Sequence, residues 1–282
     1  MNVSSGVLLV GHGTRDTQGT AEFFQLSDLL AARLAGDAVV RPCLLEFQQP
    51  TIAQAWESLV RRGVDQVTVA PLLLFAAGHA KGDIPGEVAA AQASTGSSSL
   101  VRVRYARPIS RQAAMVEAVR ERLRETISRG ASDIGTSGRT AVVMVGRGSR
   151  DVCASADMRL LSEVAVRGRS MTTTHSIAAE FGVAADGLWT TFYAMAEPRL
   201  TDTLNEVAAA GRFDRIVVHP HLLFAGRLYD AIAEQTDRAA SAHPGIQFDV
   251  APYLGPCDWV ARALAAQIHQ ADLAVPTRAV DQ

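Results

Sequence analysis

The sequence predicts an α/β protein built of two similar domains, each a mainly parallel sheet with helices on both faces. Short apolar segments alternate with segments of helical periodicity, which is typical of parallel sheets covered by helices. This pattern occurs twice along the 282 residues. A chain of that length is about twice the commonest domain size, so it has room for two such domains.

Eight apolar segments are predicted as strands, four in each half of the chain. They are bounded by glycine, proline or polar clusters, as strands usually are. In order they cover residues 6–10, 38–45, 66–74, 100–105, 141–145, 188–192, 215–223 and 247–251. Helices are predicted between them. The first has apolar residues at helical spacing, and the second covers Thr51 to Arg62 and ends at Gly63.

An internal repeat relates the two halves. Residues 7–16 read VLLVGHGTRD and residues 142–151 read VVMVGRGSRD, so an apolar strand enters a Gly-x-Gly turn in both. A second pair, VTVAPLLLF at 67–75 and IVVHPHLLF at 216–224, follows in the same order. The segment 128–138 is rich in glycine and serine without an apolar period. We therefore predict domains at 1–127 and 139–282 joined by a linker at 128–138.

Charge and cysteine content make several classes of partner unexpected. The net charge is −2 and the arginines are scattered, so no electrostatic footprint for nucleic acid is present. No apolar run is long enough to span a membrane. Cys43, Cys153 and Cys257 are odd in number and far apart, which gives no disulfide framework and favours a cytoplasmic location.

Three metal-competent side chains follow predicted strands of the first half. His12 follows the first strand, Glu46 lies at the end of the second, and His79 follows the third. Ligands of parallel α/β sheets bind beyond the carboxyl ends of the strands. Two imidazoles and a carboxylate suit Fe²⁺, Co²⁺, Ni²⁺ or Zn²⁺ and leave coordination positions open. The alternative is that each histidine is a satisfied loop residue.

Glycines flank both histidines. Gly11 and Gly13 surround His12 and Gly78 precedes His79, which would let the backbone approach a bulky flat ligand closely. The pattern lacks the third glycine of the dinucleotide fingerprint, so a nicotinamide cofactor is not expected.

The motifs together resemble the sirohydrochlorin chelatases in their long two-halved bacterial form. The resemblance rests on GHGTR at 11–15, LLEFQQPTI at 44–52 and APLLLFAAGHAKGDIP at 70–85, with GRGS at 146–149 in the second half. It implies the chelatase-like fold and ATP-independent insertion of Fe²⁺ or Co²⁺ into sirohydrochlorin, towards siroheme or cobalamin. No cofactor beyond that substrate metal is implied.

The resemblance places the paired metal-binding histidines on His12 and His79 and the strand-end acidic residue on Glu46. Arg147 occupies the repeat position of His12, and Arg227 aligns with His79 once one gap is allowed. A guanidinium group has no free lone pair for a metal ion. The second half is therefore expected to lack a metal site of its own.

Sirohydrochlorin carries many carboxylates, which calls for cationic groups and for backbone N–H groups at helix N-termini. The expected cations are Arg15, Lys81, Arg147 and Arg150, together with Arg227 if the second half contributes to substrate binding. Thr14 and Ser149 are expected to mark two helix N-termini that bind substrate.

Several alternatives stay open at this point. The protein could serve another metal or macrocycle, or hold a tetrapyrrole or metal without turnover. Glu46 could bind metal, accept a pyrrole proton or cap the helix after Pro50. His219 and His221 could bind metal together or fill a buried strand, and the region from Arg167 to Asp186 has no counterpart of equal length in the first half.

Overall fold

The computed structural model describes residues 5–75, 82–96, 101–130, 139–170 and 175–273. These residues form eight strands and nine helices. The strands are β1 Ser5–Gly11, β2 Ala38–Leu44, β3 Gln66–Pro71, β4 Arg102–Tyr105, β5 Thr140–Gly146, β6 Val183–Phe192, β7 Arg215–Pro220 and β8 Gln247–Val250. The helices are α1 Thr17–Arg33, α2 Ile52–Val60, α3 Asp83–Ser94, α4 Ala113–Gly130, α5 Val152–Arg167, α6 Ile177–Phe181, α7 Leu200–Ala209, α8 Arg227–Ala242 and α9 Asp258–Leu273.

The strands form two four-stranded sheets of the same topology. Their orders are β2-β1-β3-β4 and β6-β5-β7-β8. Every pairing within them is parallel. The central strands β1 and β5 are almost wholly buried, as strands covered on both faces should be. The predicted α/β class with two similar parallel sheets is confirmed.

The third strand of each sheet ends earlier than the apolar pattern predicts. The runs at 66–74 and 215–223 stay apolar, but β3 ends at Pro71 and β7 at Pro220. After each proline the chain turns: the Leu73 N–H donates to the Pro71 carbonyl at 2.9 Å, and the Leu222 N–H donates to the Pro220 carbonyl at 3.0 Å. In both sheets the apolar segment therefore continues past the residue at which the hydrogen bonds of the strand end.

The chain divides by its contacts into two compact units, and these units differ from the two halves of the sequence. The first consists of Met1–Thr14, Phe24–Ile109 and Ala261–Gln282; the second consists of Arg15–Phe23 and Ser110–Val260. Helix α4 thus belongs with the second sheet, and nearly all of α9 with the first. The division at 128–138 remains a prediction about the duplication, and most of that segment, 131–138, lies outside the described residues.

Polar contacts hold α9 in the first unit and α4 in the second. In the first unit, the Asp272 carboxylate of α9 accepts a hydrogen bond from Thr68 Oγ1 of β3 at 2.7 Å. In the second, the buried Arg215 of β7 donates to the carbonyls of Thr126 and Ile127 at the end of α4, at 3.0 and 2.8 Å. The bond to Ile127 satisfies one of the last four carbonyls of α4, which have no donor within the helix.

The region from Arg167 to Asp186 contains the short helix α6. Ser176 caps its N-terminus through a hydrogen bond from the Ala179 N–H, and Gly182 ends it with φ 65°. Strand β6 begins directly afterwards at Val183 and is longer than predicted. No helix in the described ranges of the chain is both long and apolar enough to cross a membrane.

Candidate functional site

His12 and Glu46 lie on two turns that are hydrogen-bonded to each other. His12 follows β1 and is half-buried, and Glu46 follows β2 and is exposed. The Leu45 N–H donates to the Gly11 carbonyl at 2.9 Å, and the Glu46 N–H donates to the His12 carbonyl at 3.0 Å. The backbone thus joins the two turns that carry His12 and Glu46, which the sequence placed at separate strand ends.

Gly13 is required by this contact between turns. Its φ is 91°, and a Cβ atom there would lie 2.1 Å from the Glu46 carbonyl oxygen. Any other residue would force the two turns apart. At Gly13 the backbone of a neighbouring turn approaches closely, and the approach of a flat ligand to the glycines stays a prediction.

Glu46 does not cap the helix that follows it. Thr51 caps α2: its side chain accepts from the Gln54 N–H, and the Gln54 side chain accepts from the Thr51 N–H. The Glu46 carboxylate makes no hydrogen bond or ion pair with any other described residue. Of its three possible roles, metal binding and proton acceptance remain.

His79 and Lys81 fall within residues 76–81, outside the described residues. Strand β3, which precedes them, pairs with β1 and ends beside it, since the Leu72 N–H donates to the Val10 carbonyl at 2.8 Å. Within the described ranges, no group of three or more His, Cys, Asp or Glu side chains could hold a metal ion. The ligand set that includes His79 stays a prediction.

The second sheet repeats this geometry with different side chains. The Tyr193 N–H donates to the Gly146 carbonyl and the Ala194 N–H to the Arg147 carbonyl, both at 2.9 Å. Arg147 therefore stands where His12 stands, and Ala194 stands where Glu46 stands. The repeat motifs did not predict Ala194, although Pro198 follows it by the same interval that separates Pro50 from Glu46. Neither residue can bind a metal ion.

Three arginines predicted to bind substrate carboxylates are exposed in the second unit. Arg147 and Arg150 follow β5, and Arg227 is the first residue of α8. No described carboxylate forms an ion pair with any of the three. Arg15 is exposed as well. The alternative in which Arg147 and Arg227 only pair with a neighbouring acid finds no support among the described residues.

Thr14 and Ser149 do not cap the helices that follow them. Helix α1 begins at Thr17, and the Asp16 carboxylate accepts a hydrogen bond from the Gly19 N–H at 2.7 Å. Asp151 caps α5 by accepting from the Cys153 N–H at 2.9 Å. The predicted helix starts are wrong by two residues, because an aspartate of the chain already occupies each N-terminus. The threonine hydroxyl itself remains a predicted substrate contact.

His219 and His221 are wholly buried at the end of β7. His221 Nε2 lies 3.3 Å from Ser110 Oγ, and the two imidazole centroids are 6.4 Å apart. Burial lowers the pKa of His219 to about 4, with a smaller contribution from the charge of Arg122. Burial, and then the charge of His219, lowers the pKa of His221 to about 3. Both imidazoles are therefore neutral in the folded protein at pH 7.

The buried histidines predict a loss of stability in mild acid. In the unfolded chain they titrate near 6.5, so stability is complete above that pH and decreases as the pH falls from 6.5 towards 4, where only the unfolded state binds protons. We expect each histidine to cost about 2 kcal/mol at pH 5. Urea unfolding at pH 7.5 and pH 5 measures this cost.

A matched variant separates the contribution of these two histidines to the pH dependence of stability from that of all other groups. The equivalent residues of the first half are Ala70 and Leu72, so the double change His219→Ala and His221→Leu should reduce the difference in unfolding free energy between the two pH values. An equal difference in the variant and the unchanged protein would contradict the assignment.

The chain is similar in sequence and in fold to known chelatases. The CbiX family model matches residues 6–126 and 141–271. A sirohydrochlorin ferrochelatase of Priestia megaterium is 29% identical over 263 residues, 93% of this chain and 88% of the relative. A sirohydrochlorin cobaltochelatase of the same organism is 29% identical, covering 88% of this chain and 74% of the relative. The solved structure of SirB from Bacillus subtilis with Fe3+ matches with a TM-score of 0.77 and 23% identity over 96% of both chains, which shows a common fold.

Proposed function

This chain belongs to the CbiX family, and we propose that it inserts Fe²⁺ or Co²⁺ into sirohydrochlorin without ATP. The observation that carries the proposal is the pairing of the His12 and Glu46 turns at the carboxyl edge of the first sheet. Two relatives that match most of the chain are named sirohydrochlorin ferrochelatase and sirohydrochlorin cobaltochelatase, which supports this substrate and these two metals. The metal is a substrate of the reaction, and the proposal includes no further cofactor.

The proposed chemistry assigns separate tasks to the residues of the first sheet. His12 and His79 bind the incoming metal as neutral imidazoles, and two such ligands leave coordination positions open for transfer to the macrocycle. Insertion releases the pyrrole protons, so a base must stand near the centre of the macrocycle. The turn of Glu46 is hydrogen-bonded to that of His12, and the exposed Glu46 carboxylate does not cap α2, so it serves as that base or as a third ligand.

The proposed substrate contacts are cationic. Arg147 and Arg150 are exposed without a described ion-pair partner, so their guanidinium groups are available for bidentate bonds to carboxylates of the macrocycle. Arg15, Thr14 and Lys81 complete the proposed set from the sequence. The second half binds substrate without a metal site, because Arg147 and Ala194 replace His12 and Glu46.

The domain division, the classes of partner and the cellular location are part of the same proposal. The matching turns of the two sheets support a duplicated chain with halves at 1–127 and 139–282 joined at 128–138. The near-neutral net charge supports a small-molecule function without nucleic-acid or membrane partners. The three separate cysteines support a cytoplasmic location.

An anaerobic assay with excess substrate tests the function. Metal-free sirohydrochlorin is mixed with Fe²⁺, Co²⁺ or Ni²⁺ and a substoichiometric amount of protein, and visible absorption follows the reaction. We expect conversion of the whole macrocycle with iron or cobalt, faster than in the protein-free control. Conversion that stops at the protein concentration would identify a carrier, and rates equal to the control with every metal would reject the chelatase.

A further inference from the structure

Glu22 is a buried carboxylate that the proposed function does not use. It lies in α1, is 8% exposed, and belongs to the second compact unit. Its Oε1 accepts from the Tyr253 hydroxyl at 2.6 Å and from Gln18 Nε2 at 3.0 Å, and its Oε2 accepts from the Ala225 N–H at 2.9 Å. Three donors therefore converge on one carboxylate, one from the same helix and two from distant parts of the chain.

The Ala225 bond fixes the turn that leads into α8. Gly226, which precedes the helix, has φ 145° and offers no side-chain cap. The N-terminus of α8 thus lacks the local hydrogen bond that usually orients a helix start. The Glu22 carboxylate supplies an acceptor one residue earlier. Its negative charge there also interacts favourably with the positive end of the helix dipole.

Tyr253 holds the same turn from a second direction. Its ring contacts the Tyr229 ring edge to face, with centroids 5.0 Å apart, and Tyr229 lies in the first turn of α8. Burial, and then the hydrogen bond to Glu22, raises the pKa of Tyr253 to about 12, so the phenol keeps its proton and remains the donor. The carboxylate and the two aromatic rings together define where α8 begins.

We propose that Glu22 is a positioning residue that fixes the Ala225–Gly226 turn and so directs the Arg227 guanidinium towards a substrate carboxylate. Arg227 is the first residue of α8, so the turn before it sets the origin and direction of its side chain. A guanidinium held in one place loses less entropy when it forms a bidentate bond. The inference rests on the proposed function, because it takes sirohydrochlorin as the ligand.

The composition of the network favours positioning over simple stability. No described lysine, arginine or histidine forms an ion pair with Glu22, so a buried carboxylate is held by three neutral donors. Burial of such a group is costly, and an apolar side chain of similar size would stabilise a purely structural contact at least as well. The specific gain from a carboxylate is that it fixes three donors at once.

A double-mutant cycle tests whether Glu22 acts through Arg227. The readout is the affinity for metal-free sirohydrochlorin, measured by spectroscopic titration at several salt concentrations. Glu22→Gln should weaken binding roughly tenfold, because an amide offers one acceptor oxygen and must lose the Ala225 or the Tyr253 bond. It should also weaken the salt dependence. In an Arg227→Ala background the same change should have no further effect.

One further substitution, made alone and together with Arg227→Ala, and a separate assay keep the outcomes distinct. Tyr253→Phe removes one donor and keeps the carboxylate, so it should weaken binding less than Glu22→Gln and should likewise have no effect without Arg227. Unchanged affinity, or losses that add to that of Arg227→Ala, would overturn the inference. Turnover is measured separately, so a protein that binds the macrocycle without converting it would reject the chelatase and leave the binding result valid.

Discussion

Replacement of His12 by alanine is expected to reduce metal insertion by about 10²- to 10⁴-fold, the usual range for loss of a group that binds metal or transfers a proton. The reason is local. His12 follows β1 on a turn that is bonded to the Glu46 turn, and the imidazole is the first of the two proposed metal ligands. Alanine keeps the backbone bonds of this turn, because they use the carbonyl of residue 12.

The measurement is initial rate against metal and macrocycle concentration, with the melting temperature determined in parallel. His269→Ala is a suitable control, since this histidine is exposed on α9. His79→Ala is expected to resemble His12→Ala, and Glu46→Gln should lower the rate without lowering the melting temperature, because Thr51 caps α2. A normal rate in His12→Ala would refute the metal-binding assignment.

The largest stability effect is expected from Arg120 in α4. Its guanidinium and the Glu117 carboxylate are 1% and 2% exposed and form an ion pair at 2.6 Å. Its remaining hydrogen bonds go to backbone carbonyls at and just after the end of α5, namely those of Val164, Ala165, Gly168 and Arg169, at 2.7 to 3.0 Å. One side chain therefore joins two helices and satisfies a helix C-terminus.

Arg120→Ala should lower the free energy of unfolding by about 3 to 5 kcal/mol, because it leaves the Glu117 charge buried and several carbonyls without a donor. Urea unfolding measures the change. Arg124→Ala is the matched control on the same helix: its pair with Glu180 is partly exposed, so the cost should be about 1 kcal/mol or less. The double change Arg120→Met and Glu117→Leu should cost less than Arg120→Ala alone. A loss below 1 kcal/mol in Arg120→Ala would contradict the assigned role.

The positions of His12 and Glu46 could be predicted because both residues follow strands, whereas their roles stay predictions. Ligands at the carboxyl edge of a parallel sheet come from strand-to-helix turns, so an apolar run that ends at His12 or near Glu46 locates those side chains without a structure. The counterpart of Glu46 was missed because the repeat is weak there. Ala194 was recognised only because its N–H donates to the Arg147 carbonyl, as the Glu46 N–H donates to the His12 carbonyl.

The roles of individual polar residues were harder to predict. Gly13 was expected to admit a ligand, but it admits the Glu46 carbonyl. Thr14 and Ser149 were expected to start helices that Asp16 and Asp151 cap. At the helix starts several nearby residues could cap the N-terminus, and only the three-dimensional path of the backbone selects one of them; at Gly13 the same path decides which atom lies against the glycine.

The sequence by itself determined the eight strands, their parallel arrangement, the duplication and the strand-end positions of His12 and Glu46, because these depend on apolar periodicity and on residues close together in the chain. The tertiary structure alone decided which sheet each terminal helix covers, as the bonds of Asp272 to β3 and of Arg215 to α4 show. It also decided that Glu22 meets a turn 203 residues away. An amphipathic helix specifies that one face will be buried, but its pattern does not specify the surface that buries it; that choice follows from the packing of the whole chain.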